Sequence, residues 1–201
     1  MASTNRQNPR RRNPKGQGVQ LREELLAAAT RMLDESGDPA TVTIRGVAAA
    51  VGVVPNAVYL HFANRQALLV ALVADRFAAF GDHIRTATNA AGNDPLERVK
   101  AGHRAYIEFA LAHHGHYRLM FGDDAGEPAV SIGLDAFGLC VDGCRELSTA
   151  GLIGDVDPEE LAAALWAFDH GYVELARTNK GRLLADPDQA LATLLAAITR
   201  R

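Results

Sequence analysis

The sequence has little cysteine and no long apolar run, and both absences narrow the class of protein. Cys140 and Cys144 are its only cysteines, which is too few for a disulfide framework and fits a reducing interior. The strongly apolar stretch from Ala67 to Ala74 is far shorter than the roughly 20 residues that span a bilayer. We therefore expect no membrane segment.

Signatures of catalysis and cofactor binding are also missing. The chain contains no Gly-x-Ser-x-Gly elbow, no His-Glu-x-x-His helix and no phosphate-binding glycine loop. Beyond residue 66 it lacks the alternation typical of strands, and its apolar residues recur with helical period. The sequence predicts an all-α protein that is not an enzyme and has no cofactor. A catalytic site assembled from distant residues is the alternative.

Acidic residues are absent from the first 22 positions. Prolines and glycines break any regular helix there, so residues 1–17 are predicted to be a disordered basic arm. Residues 1–65 carry nine Lys/Arg against five Asp/Glu, whereas residues 66–201 carry twelve against nineteen. Only the first part is suited to bind a polyanion, and the arm adds phosphate neutralisation. A merely solubilising terminus is the alternative.

The segment from Thr43 to Phe62 has the pattern of two short helices joined by a tight turn. Thr43 is a helix cap, and Gly52 suits the left-handed residue that ends a helix. Pro55 then fits the first turn of a second helix, predicted to run to about Phe62. Such a helix fits the DNA major groove. A packed helical hairpin without DNA contacts is the alternative. The apolar face of the first helix comprises Ile44, Val47, Ala48 and Val51.

The segment from Thr43 to Leu69 resembles the DNA-binding head of the tetracycline-repressor (TetR) family of bacterial regulators. It departs from the family at Val54, where serine is frequent, and at Arg65, where lysine is frequent; the valine removes a cap and a phosphate-binding hydroxyl. The shared motifs are Thr43-Ile44-Arg45, Ala50-Val51-Gly52-Val53, Ala57-Val58-Tyr59-x-His61-Phe62 and Ala67-Leu68-Leu69.

This resemblance implies a three-helix helix-turn-helix head over residues 18–65 and a helical body over residues 66–201. The body is expected to bind a small-molecule effector and to form a homodimer through its last two helices. The function implied is a cytoplasmic repressor that binds a palindromic double-stranded operator. A helical ligand-binding or catalytic protein without specific DNA recognition is the alternative. The expected DNA-binding residues are Thr43, Arg45, Val54, Asn56, Ala57, Tyr59, Leu60, His61 and Arg65.

Within this set, phosphate contacts are expected from Thr43, Tyr59, His61 and Arg65. The resemblance assigns such contacts to the positions of Tyr59 and His61 in particular. Few polar side chains are available on the second helix for direct reading of bases. Base selection is therefore expected from Arg45, from Asn56 on that helix and from apolar contacts to thymine methyl groups.

The body is predicted to contain helices over about 65–90, 95–113, 129–150, from 158 and over 187–200. Gly115 is expected to break the second of these before a short turn. The segment from Leu165 to Gly171 resembles the Trp-His-Gly signature of one TetR subgroup. Aromatic and histidine side chains are expected to line an effector cavity between these helices, with an ordinary core as the alternative. They are His103, Tyr106, Phe109, Tyr117, Phe121, Phe137, Trp166 and His170.

Histidines and cysteines in the body suggest a metal or redox site, which we weigh against plainer roles. His103, His113, His114 and His116 lack an evident set of converging partners, so a solvated helix end is the preferred interpretation and no metal is predicted. Cys140 and Cys144 lie four apart on one helical face. Buried small hydrophobes are favoured over oxidant sensors.

Overall fold

The computed structural model describes residues 17–122, 124, 126–178 and 184–198. Within these ranges all regular elements are helical, which confirms the all-α prediction. The predicted basic arm lies outside the described residues except for Gln17. The elements are α1 (Gln17–Ser36), a 3-10 turn (Pro39–Thr41), α2 (Ile44–Val51), α3 (Pro55–Tyr59), α4 (Arg65–Ala90), α5 (Pro95–Ala112), α6 (His114–Phe121), α7 (Glu127–Thr149), α8 (Pro158–Ala176) and α9 (Pro187–Ile198).

The first three helices form the head, and the predicted signals at the ends of α2 are confirmed. The Thr43 hydroxyl accepts a hydrogen bond from the Gly46 amide at 3.0 Å, so it satisfies one of the free N–H groups of the first turn. Gly52 ends α2 with a φ of 77°, a left-handed conformation that favours glycine. The head packs on fully buried side chains, among them Leu25, Leu33, Val47 and Val58.

The second helix of the motif is shorter than predicted. It ends at Tyr59 rather than Phe62, because the amides of His61 and Phe62 both donate to the Val58 carbonyl in a tight turn. Asn64 follows this turn and caps the start of α4, where its side chain accepts a hydrogen bond from the Ala67 amide. Phe62 is buried as predicted, with 3% of its surface exposed, although it lies outside the helix.

Helix α4 runs from Arg65 to Ala90 as predicted and belongs to both parts of the molecule. Its N-terminal half carries Leu68, Leu69 and Leu72, which share one apolar core with α1 and α2. The same core continues through Phe77 and Phe80 into the aromatic residues of the body. The head therefore rests on a packed surface and not on a flexible linker.

The prediction that Gly115 breaks a helix is wrong. The break lies at His113, and Gly115 sits in the first turn of α6. A β-carbon at position 115 would lie 2.8 Å from the Leu33 carbonyl oxygen and 2.9 Å from Gly37 Cα. Glycine is needed there because α6 approaches the backbone at the end of α1, which brings the body against the head.

The remaining helices form a second core at the far end of the body, where α7 packs on α8 and α9 packs on α5. Helix α8 is buried on two faces, one with Leu161 and Leu165 and the other with Asp169 and Val173, whereas Leu175 near its end is 40% exposed. Leu191 and Leu195 of α9 are buried within the chain. No described helix combines the length and apolar character needed to cross a bilayer.

Candidate DNA-binding surface and body cavity

The outer face of α3 exposes large apolar side chains. Val54 is 67% exposed and Leu60 83% exposed, while Tyr59 exposes half of its surface. Asn56 is also exposed and Ala57 is half-buried, whereas Val58 between them points into the head. Exposed apolar side chains beside a short helix suit contacts with thymine methyl groups in the major groove.

Two of the residues predicted to contact DNA lie at the start of α2. Thr43 and Arg45 are both exposed at the start of this helix. The Thr43 oxygen accepts from Gly46, and its hydroxyl hydrogen can still be donated to a phosphate. Val54 begins α3 without a side-chain cap, as expected from the replacement of serine.

Arg65 is placed differently from the other predicted contacts. Its Nε donates to the Val42 carbonyl and its Nη2 to the Pro39 carbonyl, both at 2.7 Å. The side chain is half-buried, so its donors are directed at the loop that precedes α2. This geometry gives Arg65 a structural role in the head, and a phosphate contact by this residue stays an untested prediction.

The start of α1 lies beside His61, which follows α3. His61 is half-buried, and a β-carbon at Gly18 would lie 4.0 Å from its Cε1 atom. The Arg22 guanidinium carbon lies 5.2 Å from the centre of the Phe62 ring, within range of a cation–π contact. Gly18, directly after the predicted basic arm, therefore lies next to the predicted DNA-binding surface.

The body contains a cavity of about 260 Å³ between α4, α5, α7 and α8, closed on one side by Phe121 at the end of α6. It exceeds the roughly 150 Å³ of an apolar cavity that binds benzene. Aromatic side chains form much of its wall, and Gly133 of α7 also lines it. Of the residues predicted to line a cavity, the structure places five in this wall: His103, Tyr106, Phe121, Phe137 and Trp166.

Three predicted lining residues are not in the wall. Phe109 belongs to the core, with its ring centre 5.2 Å from that of Phe80. Tyr117 and His170 lie behind the wall and bind the hydroxyl of Tyr106, which does line the cavity. Aromatic composition identified the right helices, but sequence does not show which side of a ring faces a void.

These three polar rings form a cluster that joins α5, α6 and α8. The Tyr117 hydroxyl lies 2.8 Å from His170 Nδ1, and the Tyr106 hydroxyl contacts the same nitrogen. Burial lowers the pKa of His170 and raises the pKa of Tyr117 to about 12. A neutral imidazole accepting from tyrosine hydroxyls is therefore the stable arrangement.

Sequence reasoning missed Asp169 as a cavity residue. It lies in the wall with 1% of its surface exposed, and its Oδ2 accepts from His103 Nδ1 at 2.5 Å. Oδ1 has no hydrogen-bond partner. Burial raises the pKa of this carboxyl, opposed by His103. A buried acid within the Leu165 to Gly171 motif was the available signal, because such a group needs a partner.

The entrance of the cavity is polar and was also missed. Arg98 Nε lies 2.9 Å from Glu146 Oε2, and its Nη1 donates to the Thr88 carbonyl, so an ion pair links α5 to α7 beside the opening. Arg85 and Asn89 of α4 line the same region. Their spacing of four residues on one helix was a usable signal.

The expectation of small buried groups is confirmed for Cys144 but not for Cys140, which is half-buried. Cys144 is fully buried, and the Cys140 thiol lies in the cavity wall 3.6 Å from the Ala162 carbonyl. The hydrogen bond with Cys144, together with burial, raises the pKa of Cys140. A thiol with a raised pKa is a poor nucleophile.

The interpretation of the body histidines as a solvated helix end is wrong for two of them. His103 and His116 are buried, at 6% and 2% exposure. His113, His116 and Asp34 of α1 place one potential ligand atom each within 4.8 Å of one another. Sequence reasoning missed this cluster because Asp34 lies in the head, 79 positions before His113.

Family models match both parts of the chain. Residues 25–72 match the model described as bacterial regulatory proteins, tetR family. Residues 99–198 match the model described as tetracyclin repressor-like, C-terminal domain. One match covers most of the head and the other covers most of the body, so the similarity does not rest on the helix-turn-helix alone.

Individual proteins show the same likeness. The HTH-type transcriptional repressor KstR2 of Mycobacterium tuberculosis is 32% identical over 114 residues, which cover 55% of this chain and 54% of KstR2; the chain thus matches about half the length of that relative. A Rhodococcus protein of unknown function has a TM-score of 0.75 at 29% identity, covering 96% and 97% of the two chains. A TetR-family transcriptional regulator from Pectobacterium atrosepticum has a TM-score of 0.70 at 24% identity, covering 94% and 99%.

Proposed function

We propose that this chain, which belongs to the TetR family of transcriptional regulators, is a cytoplasmic repressor that binds a palindromic operator and is released by a small molecule. The main observation in support of this proposal is the exposed outer face of α3. It presents Val54, Tyr59 and Leu60 to solvent on a head with a fully buried core. A soluble surface seldom groups large apolar side chains in this way without a partner.

In this proposal the head divides DNA contacts by chemistry. Thr43, Tyr59 and His61 bind phosphates, Arg45 and Asn56 contact base edges, and the remaining exposed residues of α3 pack against thymine methyl groups. Arg65 holds the loop that positions α2. The basic arm, which leaves the head beside His61, adds salt-dependent affinity.

A homodimer makes geometric sense of a head with a single short recognition helix. Two such helices held about 34–36 Å apart meet successive major grooves of a palindrome. We assign dimerisation to the outer faces of α8 and α9. Leu175 of α8, which is 40% exposed, is an apolar side chain available for this contact. Helix α9 also packs on α5 through buried leucines, so the dimer uses its other face.

The cavity is the proposed effector site, and polar contacts connect it to the head. Tyr106 lines the cavity and shares the His170 nitrogen with Tyr117 of α6. Helix α6 in turn packs against α1 through Gly115. A ligand that displaces Tyr106 thus biases the position of α6 against the head, provided that it binds the two arrangements with different affinity.

The wall suggests an effector that is mostly apolar and carries a hydrogen-bond donor. Aromatic rings supply the apolar surface, and Asp169 Oδ1 is a buried acceptor without a donor. A hydroxyl or amine on the ligand satisfies this acceptor, which otherwise costs free energy in the interior. We therefore expect an apolar alcohol or amine rather than a simple carboxylate.

An enzyme is the second function to consider, because His103, Asp169 and Cys140 meet at the cavity. The His103 Nε2 atom lies 4.0 Å from Cys140 Sγ, beyond the reach of efficient proton transfer. The Cys140 thiol is also hard to ionise. These features favour a binding cavity over a nucleophilic site, and we propose that the chain is not an enzyme.

Footprinting with DNA that flanks the protein's own gene tests the proposal. We expect a protected palindrome at moderate salt, and its absence would count against repression. Tyr59→Phe removes one phosphate contact from each subunit and should weaken binding of the dimer to all operator variants about 30-fold, since each hydrogen bond contributes about 1 kcal/mol. Asn56→Ala should instead change the preference among operators. If neither variant alters binding while both stay folded, the DNA-binding surface lies elsewhere.

A further inference from the structure

The head and body meet at a cluster of three metal-ligating side chains that the repressor function does not use. Asp34 lies in the last turn of α1, His113 at the kink between α5 and α6, and His116 in the first turn of α6. Asp34 Oδ1 is 3.0 Å from His116 Nε2 and 4.0 Å from His113 Nδ1. One carboxylate and two imidazoles thus converge from both parts of the molecule.

His116 is the buried member of the cluster. Its side chain is 2% exposed, and its Nε2 faces Asp34 Oδ1 at 3.0 Å without the alignment of a hydrogen bond. An imidazole nitrogen buried beside a carboxylate that it does not bond well is costly, and an ion held between the two groups satisfies both.

The surrounding backbone holds the cluster in place. Gly115, next to His116, lies so close to Leu33 and Gly37 that a β-carbon has no room, and Leu33 precedes Asp34. The rings of His113 and His116 stack with 5° between their planes and 5.3 Å between their centres. Asp34 and His113 are about half exposed, so an ion has a path from solvent.

The ligand set selects the class of ion. Two imidazoles and one carboxylate suit Zn²⁺, which takes three protein ligands and leaves a fourth position to water. Ca²⁺ and Mg²⁺ prefer oxygen ligands, of which the cluster offers one residue. Arg76 lies close enough to lower the pKa of His116, and its positive charge is offset by its ion pair with Asp75.

We propose that Asp34, His113 and His116 bind a zinc ion that joins the DNA-binding head to the body. The bonds that Zn²⁺ forms are about 2.0–2.2 Å long, which places two ligand atoms of a tetrahedral site about 3.4 Å apart. Binding therefore draws His113 Nδ1 about 0.6 Å closer to Asp34 Oδ1, from 4.0 Å. The ion then links α1 to α6 at the contact through which the body acts on the head. The site is separate from the cavity and does not depend on its effector.

Zinc titration of the full-length, tag-free protein tests this inference. We expect Zn²⁺ to raise the melting temperature, since an ion that binds only the folded state stabilises it. Co²⁺ used as a spectroscopic probe should give the visible absorption of a nitrogen and oxygen site of low coordination number. Asp34→Asn and His113→Gln change half-exposed side chains, so both variants should fold and lose Zn²⁺ affinity by about 100-fold or more, because loss of a group that only orients a ligand already costs about 10–100-fold.

Matched variants control for non-specific binding. Glu35→Gln removes the neighbouring exposed carboxylate of α1, and His83→Gln removes an exposed histidine of α4; both should bind Zn²⁺ as the wild type does. The inference is overturned if the wild type shows no zinc-dependent stabilisation. It is equally overturned if Asp34→Asn and His113→Gln retain the wild-type affinity, because the ion would then bind elsewhere.

Discussion

The predicted DNA-binding surface and the body cavity differ in the residues that form them. The DNA-binding surface is formed by one short segment, from Thr43 to His61, most of whose predicted contact residues are exposed. The cavity takes its wall from five helices between Phe80 and Asp169, and its central polar groups are buried. A local surface tolerates single changes that alter only binding, whereas a buried wall couples each change to packing.

The strongest test of this difference compares two arginines of the head. Arg65→Ala removes both donors from the Pro39 and Val42 carbonyls and should lower the free energy of unfolding by about 2–3 kcal/mol. Arg45→Ala changes an exposed side chain and should stay within about 0.5 kcal/mol. Urea denaturation measures both. Equal stability of the two variants would mean that Arg65 is free to contact DNA.

The second test separates the cavity from the DNA-binding surface. Ala136 lines the cavity, and Ala136→Phe should fill it, so effector affinity falls by about 10-fold or more while operator affinity is kept. Leu134→Phe, at a 64% exposed position of the same helix, is the matched control and should behave as the wild type. Calorimetry with the effector and gel shifts with the operator give the two readouts. Retained effector binding by Ala136→Phe places the ligand outside this cavity.

The smallest expected effect concerns the cluster behind the cavity wall. Burial lowers the pKa of His170, so the folded state binds fewer protons than the unfolded state below about pH 6.5. The stabilising contribution of the neutral ring is complete above that pH and is lost as the pH falls toward the folded-state pKa. A charged ring also cannot accept from Tyr106 and Tyr117 through Nδ1.

His170→Asn replaces the titrating ring with an amide whose oxygen can accept the same hydroxyls. The melting temperature of this variant should fall less between pH 7.5 and 5.5 than that of the wild type. Thermal unfolding followed by circular dichroism across this range makes the comparison. Parallel curves for the two proteins would show that His170 is not responsible for the loss of stability in acid.

Features set by neighbouring residues were predictable from sequence. The cap at Thr43, the left-handed Gly52 and the bounds of α4 agree with expectation, because each depends on backbone geometry within one turn of helix. Gly115 shows the limit of such reasoning. As a glycine it suggested a helix break, but it serves a close contact with Leu33, a residue more than 80 positions away.

The functional sites follow the same division. Five of eight predicted cavity residues line the wall, because aromatic residues on helix faces mark the core in which a cavity lies. The other three lie outside the wall, with Phe109 and Tyr117 buried and His170 half-buried, a difference of position that helical period does not encode. Asp169 was not among the predicted cavity residues, since its partner His103 lies on another helix.

The sequence by itself determined the helical class, the position of the helix-turn-helix and the resemblance to TetR regulators, because all three are written in short-range patterns. Tertiary structure alone decided that Arg65 binds backbone carbonyls, that Asp169 meets His103, and that Asp34 joins His113 and His116. The physical reason is that these contacts join residues separated by 23 to 82 positions in the chain. Their distances depend on how the helices pack, which no local pattern specifies.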